Sequence, residues 1–586
     1  MKNRPALRWL LLLNMMCGAA LAKEPPVGIG SHQYGEWGAS RSQVIARNAM
    51  AATSNPLATG VAVDILRRGG SAVDAAIAAS AVVGLVEPLD SGIGGDMFAI
   101  VWDPAAKKLV GLNASGAAPL GQTLAQLRAK LAPTTEIPLK GSASVTVPGK
   151  VDGWFELHKK FGRLPMPQLL SPAIRYAREG FAVTEDSADN WQYEWENTRQ
   201  HKGDIEELKN YSKLYWPHGK PPREGEVFYN PDLAHTLEQI AEGGRDAFYR
   251  GAIADTIDAY MRCIGGALRK RDLEHQHAEW IQPLCTDYRG YDVCELPPNT
   301  QGIAVLQMLN ILEGFDIGDL VPGSAELLHL QIEAKRLVYE DLARYYADPR
   351  FADTPTQQLL SKTYAEQRRK LISPGKTMPK AIYGDPKLER GDTSYLTVAD
   401  SDGMMISLIQ SNYWGGSGLV PDGLGFVLQN RGNLFSLDPK HPNHYAPGKR
   451  PFHTIIPGFV LKQGKPWLSF GLMGGPMQPQ GQVQVLINMI DFGMNVQQAG
   501  DSARYQHTGS SRSFQPLAKD GAGIGKVFVE PGVRPGEIDK LRALGHSVKT
   551  ATGSRYGGYQ AIMRDPDTGV YYGGSDMRKD GTALGY

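Results

Sequence analysis

The chain has 586 residues, 62 basic and 61 acidic side chains, and 42% apolar residues. Balanced charge argues against a nucleic-acid binder, which carries a basic excess, and this length and apolar content supply a core without metal or disulfide staples and argue against disorder. Glycine stands out: its 67 residues are about 11% of the chain, against roughly 7% on average, which points to tight turns and to backbone sites where a side chain would obstruct.

Lys2, Arg4 and Arg8 precede an apolar run from Trp9 to about Ala22, which ends in Ala20-Leu21-Ala22. About 14 apolar residues are too few to span a bilayer comfortably. The basic start, apolar middle and small-x-small end read as a secretory signal peptide, residues 1–22. Its removal leaves 59 basic against 61 acidic residues. No later apolar run is long enough to span, so the mature protein is expected to be periplasmic or secreted, with no membrane association and no nucleic-acid partner. Cys263, Cys285 and Cys294 then remain, and an oxidising compartment predicts one disulfide and one free thiol. Cys285 and Cys294 flank a hairpin-like stretch and can face each other across it, but Cys263 is an alternative partner for either.

Leu57, Val61 and Ile65 form a helical stripe within residues 57–68, ended by Gly69-Gly70. Residues 71–86 are a helix of small residues that must pack closely, stopped by Pro88. A turn from Ser91 to Asp96 leads to a strand at 98–103 that pairs with 108–113. Residues 150–260 read mostly helical. Ser324 caps a helix to about Ala347, before Pro349. Residues 353–390 are polar, with several Pro and Lys, and read as exposed. From 393 the pattern is a β-hairpin with an Asp402-Gly403 turn, and strand and turn signals continue to the C-terminus. There are no internal repeats.

General motifs give mostly negatives: no nucleophile elbow, no zinc-protease helix, no phosphate loop and no dinucleotide fingerprint. His275 and His277 with Glu274 and Glu279 lack a recognisable third metal ligand and read as a solvated polar face. Gly92 to Gly95 read as a turn, with an anion cradle as the alternative.

Gly391-Asp392-Thr393-Ser394-Tyr395 is different in kind. By pattern it is a turn entering a strand. Chemically, Thr393 is a nucleophile if it becomes a new N-terminus, because its free α-amino group, with a pKa of about 7.7–8.0, can serve as its general base. The Asp392–Thr393 bond must first be cut. The Thr393 hydroxyl can attack the Asp392 carbonyl, the acyl group shifts from N to O, and water releases the ester.

Across nearly the whole mature length the sequence resembles the γ-glutamyltransferase (glutathione hydrolase) family of N-terminal-nucleophile hydrolases. The resemblance is carried by SNPLATGVAVDILRRGGSAVDAAIAASAVVGLVEPLDSGIGGDMFAIVWD (54–103), TVPGKVDGW (146–154), GRLPMPQLLSPAIRYAREGF (162–181) and LHLQIEAKRLVYEDLARYYADP (328–349). It continues through GDTSYLTVADSDG (391–403), GKRPFHTIIPGFV (448–460), GLMGGPMQPQG (471–481), DFGMNVQQAGDSARY (491–505) and SDMRKDGTALGY (575–586). LIQSNYWGGSG and LQNRGNLFSLDP resemble its γ-glutamyltransferase-like or cephalosporin-acylase-like branch.

The resemblance implies an α/β protein, a four-layer αββα sandwich, with a large subunit 23–392 and a small subunit 393–586 cut from one precursor. It implies Thr393 as the nucleophile for both self-cleavage and catalysis, and the amides of Gly474 and Gly475 as the oxyanion hole. Asn412, Arg431, His453 and Thr454 fall at substrate-contacting positions. No metal or organic cofactor is needed.

The departures concern the substrate. The family's carboxylate-gripping arginine is replaced in Ser115-Gly116-Ala117-Ala118-Pro119, its acidic residue for the donor amine falls at about Leu434, and a threonine beside the nucleophile falls at Gln410. The stretch between Phe435-Ser436 and Lys449-Arg450-Pro451 lacks much of a covering loop. Arg431 is a candidate replacement charge. The leading expectation is a γ-glutamyl amidohydrolase or transferase acting on glutathione-type compounds. The alternatives are the same chemistry on glutaryl-type or other acyl amides or γ-glutamyl polymers, and a catalytically silent periplasmic scaffold.

Overall fold

The computed structural model describes residues 41–381, 394–515 and 521–586. The signal-like residues 1–22 and the cleavage pair Asp392 and Thr393 lie outside the described residues.

Two seven-stranded sheets dominate. One runs in the order Val44–Ala46, Tyr571–Ser575, Tyr559–Arg564, Lys465–Leu472, Gly458–Lys462, Tyr291–Glu295, Leu284–Tyr288. The other runs Thr582–Gly585, Met50–Thr53, Ser394–Ala399, Met405–Ser411, Asp96–Asp103, Lys108–Ala114, Glu279–Ile281. The hairpin Ser394–Ala399/Met405–Ser411 sits at the centre of the second sheet, and its alternation explains the layering. Tyr395, Ala399, Met405 and Ile409 point between the sheets, toward Phe459 and Ile562. Leu396, Val398, Ile406 and Leu408 point outward, against the helices. Both faces are therefore buried, so the strands read as near-continuous apolar runs.

Helices Pro56–Arg67 and Ala72–Val86 cover the second sheet. Ala72–Val86 is buried at every residue, and its small side chains allow that close approach; Ser71 and Asp74 close a capping box at its start. Helices Ile303–Leu312, Ala325–Tyr345 and Met477–Ile490 cover the first sheet. The result is the helix–sheet–sheet–helix sandwich that the resemblance implied. Ser324 caps Ala325–Tyr345 as anticipated.

Cys285 and Cys294 face each other across adjacent strands and form a disulfide, leaving Cys263 free and exposed. The stretch from 353 is exposed at most of its described positions, as expected, with a few buried anchors. Short helices Thr356–Leu359 and Lys362–Arg369 place Leu359 and Ala365, and the turn after them Ile372, in the core beneath the first sheet. Sparse apolar residues among many polar ones concealed that contact. Among the described residues no helix is long and apolar enough to cross a membrane.

Candidate active site

Strand Lys465–Leu472 leads through Met473, Gly474, Gly475 and Pro476 into helix Met477–Ile490. Gly474 and Gly475 have φ of +113° and +56°, a region that favours glycine. The turn directs their carbonyls to Met477 N and Gln478 N, at 3.0 and 3.1 Å. Neither glycine amide donates to a partner among the described residues. Two free N–H groups at the positive end of a 14-residue helix suit a developing negative charge.

Gln301 ties this turn to the predicted substrate contacts. Its Nε2 donates to Gly475 O at 2.9 Å and also to Thr454 O. Thr454 Oγ1 accepts from Arg431 Nη1 at 2.8 Å. The Arg431 guanidinium lies 4.7 Å from the centre of the Tyr413 ring, and its Nε and Nη2 are buried without a partner. Burial lowers Arg431 to about 10, so it remains a cation at neutral pH.

Asp96 is a second hub. Its Oδ1 accepts from Gly116 N, Gly149 N and Gln429 Nε2 at 2.9, 3.1 and 2.9 Å. His453 Nε2 lies 3.2 Å from Oδ2, while Nδ1 faces Ile455 N. That pairing places the ring proton on Nε2. Burial, then the Arg431 charge, push His453 well below its ordinary range, so it is neutral. Burial raises Asp96 to about 6, although Arg431 and the hydrogen bonds oppose the rise.

The structure thus brings Gly474, Gly475, Thr454 and Arg431 into one connected group. His453 is turned onto Asp96. Asn412 serves as a brace: its Nδ2 donates to Pro88 O at 2.9 Å and its N to Asp90 O at 2.7 Å. Gln410 is held by Ser80 and Ser91. Gly92 to Gly95 form the turn that packs against Asn412, which favours the turn over the anion cradle. At Ser115, where the resemblance places the family's arginine, the side chain is buried and its Oγ donates to Asn113 Oδ1 at 2.7 Å. Leu434 is fully buried in apolar core.

Ser394, next in sequence after Thr393, begins its strand opposite Gln410 and donates to Glu87, which also accepts from Ser54 at 3.0 Å. Burial raises Glu87 above the ordinary carboxylate range. A cleft of about 800 Å³ opens beside the site, lined in part by Tyr413, Trp414, Asn433 and Pro476. No residue from 435 to 450 lines it, in keeping with the shortened covering loop.

Sequence inspection missed Asp96, Gln301 and Tyr413. Asp96 had a signal, closing the glycine-rich turn; Gln301 had none. His275 and His277 are exposed as expected. A separate buried group, His329, Glu333 and His546, has metal-like spacing. Its atoms are already engaged: Glu333 accepts from Arg336, Thr377 and Met378 N, and the two imidazoles bond each other at 2.7 Å. It reads as a hydrogen-bonded network.

The sequence model of Gamma-glutamyltranspeptidase matches residues 58–586. The glutathione hydrolase-like YwrD proenzyme of Bacillus subtilis is 36% identical over 549 residues, 92% of this chain and 99% of that protein. The oxamate amidohydrolase proenzyme of Klebsiella pneumoniae is 34% identical, covering 93% of this chain and all of that one (100%). The crystal structure of cephalosporin acylase from Bacillus halodurans superposes with a TM-score of 0.87 at 42% identity, covering 94% of this chain and 98% of that one.

Proposed function

The chain belongs to the gamma-glutamyltranspeptidase family of enzymes, and from that premise we propose a self-processing amidohydrolase, with Thr393 as nucleophile, for acyl amides whose acyl group ends in a carboxylate. One observation carries the substrate class: Arg431, a buried cation beside the Gly474-Gly475 turn, keeps Nε and Nη2 unpartnered. A planar guanidinium with two free N–H groups matches a carboxylate.

In this mechanism the Thr393 hydroxyl attacks the Asp392 carbonyl, and water resolves the ester. The small subunit 393–586 then begins with a free amine, and the large subunit is 23–392. The α-amino group takes the hydroxyl proton as Thr393 attacks the substrate carbonyl. The Gly474 and Gly475 amides hold the oxyanion. The amine leaves, and water or an acceptor amine takes the acyl group. The proenzyme names of the relatives support processing from one precursor. Residues 1–22 and the Cys285–Cys294 disulfide support export to an oxidising compartment.

γ-Glutamyl amides are the second reading, favoured by the glutathione hydrolase-like relative. Their extra α-ammonium needs an acceptor. Asp96 already faces four donors, and Leu434 is apolar. Comparison of glutaryl-p-nitroanilide with γ-glutamyl-p-nitroanilide separates the two. We expect kcat/KM to favour the glutaryl compound by about ten-fold or more, the cost of an unpaired buried charge. A preference for the γ-glutamyl compound restores the second reading.

A further inference from the structure

Pro476, directly after the two glycines, has a second neighbour. Tyr339 donates its hydroxyl to Pro476 O from helix Ala325–Tyr345. Lys335 lies one turn earlier on that helix, roughly 6 Å along it, and lines the same cleft. Lys335 is 2% exposed. Its Nζ donates to His507 Nδ1 at 3.0 Å and Ser510 Oγ at 2.9 Å. His507 Nε2 faces Ile524 O at 2.9 Å, so Nε2 carries the ring proton and Nδ1 is an acceptor. Lys335 is thus bonded to two neutral groups. No carboxylate among the described residues lies within ion-pair distance of it, so burial pushes it well below the usual lysine range.

Arg512, Lys526 and Arg555 also line the cleft. The carboxylates that line the cleft, Glu136 and Asp204, are already engaged: Glu136 accepts from Gln515, and Asp204 faces His201. We propose that the cleft holds a carboxylate subsite for the leaving amine, centred on Lys335 Nζ, so that the enzyme prefers amides whose released amine itself carries an acid. The subsite rests on the proposed amidohydrolase function. Arg431 would then hold the acyl end and Lys335 the amine end.

The test is calorimetric titration of the full protein with two amines that differ by one carboxylate, p-nitroaniline and 5-amino-2-nitrobenzoate. The carboxylated amine should bind about ten-fold tighter or more. Lys335→Met should abolish that preference and leave p-nitroaniline binding unchanged. Should Lys335→Met fail to fold, Lys526→Gln combined with Arg555→Gln, on the cleft rim, should lower the preference about two- to three-fold. Equal binding of the two amines by the wild type, or a preference that survives these substitutions, overturns the subsite. Hydrolysis of glutaryl-p-nitroanilide is measured in parallel. An inactive protein that still prefers the acid overturns the functional reading alone, and an active one without preference overturns the subsite alone.

Discussion

Arg431 and Thr454 are joined by one 2.8 Å hydrogen bond from Nη1 to Oγ1, and the rest of the guanidinium is buried under Tyr413 without a partner. A buried cation left half satisfied inside a tightly bonded group is costly unless something else completes it. A substrate carboxylate would do so.

Arg431→Met should therefore lower kcat/KM for glutaryl-p-nitroanilide by about 100-fold, as expected for two charge-assisted hydrogen bonds. For butyryl-p-nitroanilide, which lacks the carboxylate, the loss should be about two-fold. Equal losses on both substrates would show that Arg431 supports the fold and does not grip the acyl group.

Asp96 titrates at about 6, raised from 3.8 by burial. The stability this raised value contributes is fully present below the ordinary carboxylate range and is lost as pH rises through about 6. Asp96→Asn removes the titration. The melting temperature of Asp96→Asn relative to wild type should therefore rise between about pH 4 and 7. A difference that is flat across this range contradicts the assignment.

Lys140 holds the loop that carries Tyr413. Its Nζ bonds Glu194 at 3.0 Å and the carbonyls of Trp414 and Gly416 at 2.9 and 3.0 Å, all buried. The loop needs such a clamp because Tyr413, Gly415 and Gly416 all have positive φ, and a side chain at Gly415 would meet Glu194 at 2.1 Å. Lys140→Met should cost about 3–5 kcal/mol in denaturant unfolding, since it strands the Glu194 charge. Adding Glu194→Gln should recover part of that loss.

The central hairpin and the small-residue helix were legible in the sequence because local chemistry determines them, whereas the four layers and the role of Gly474-Gly475 came from the family resemblance. The strand pattern around the Asp402-Gly403 turn and the small residues of 71–86 each have a direct physical reading. The polar site was less legible. Asp96, Gln301 and Arg431 meet from distant parts of the chain, and no spacing along it records that Gln301 joins Gly475 to Thr454. His453 and Thr454 are adjacent in sequence, yet one bonds Asp96 and the other Arg431. Asn412 fell at a substrate-contacting position by resemblance, while its amide braces the turn at Pro88. The Asn412 Oδ1 is buried without a partner among the described residues, so the brace occupies only part of the side chain.

The central claim is that Thr393 is freed as an N-terminus and used as the nucleophile. Intact-mass measurement of purified wild type and Thr393→Ala tests it most directly. Two chains in the wild type, the smaller beginning at Thr393, and a single uncut chain in Thr393→Ala are the predicted result. A wild-type chain that stays intact and hydrolyses neither anilide contradicts the account and leaves the silent scaffold as the better description.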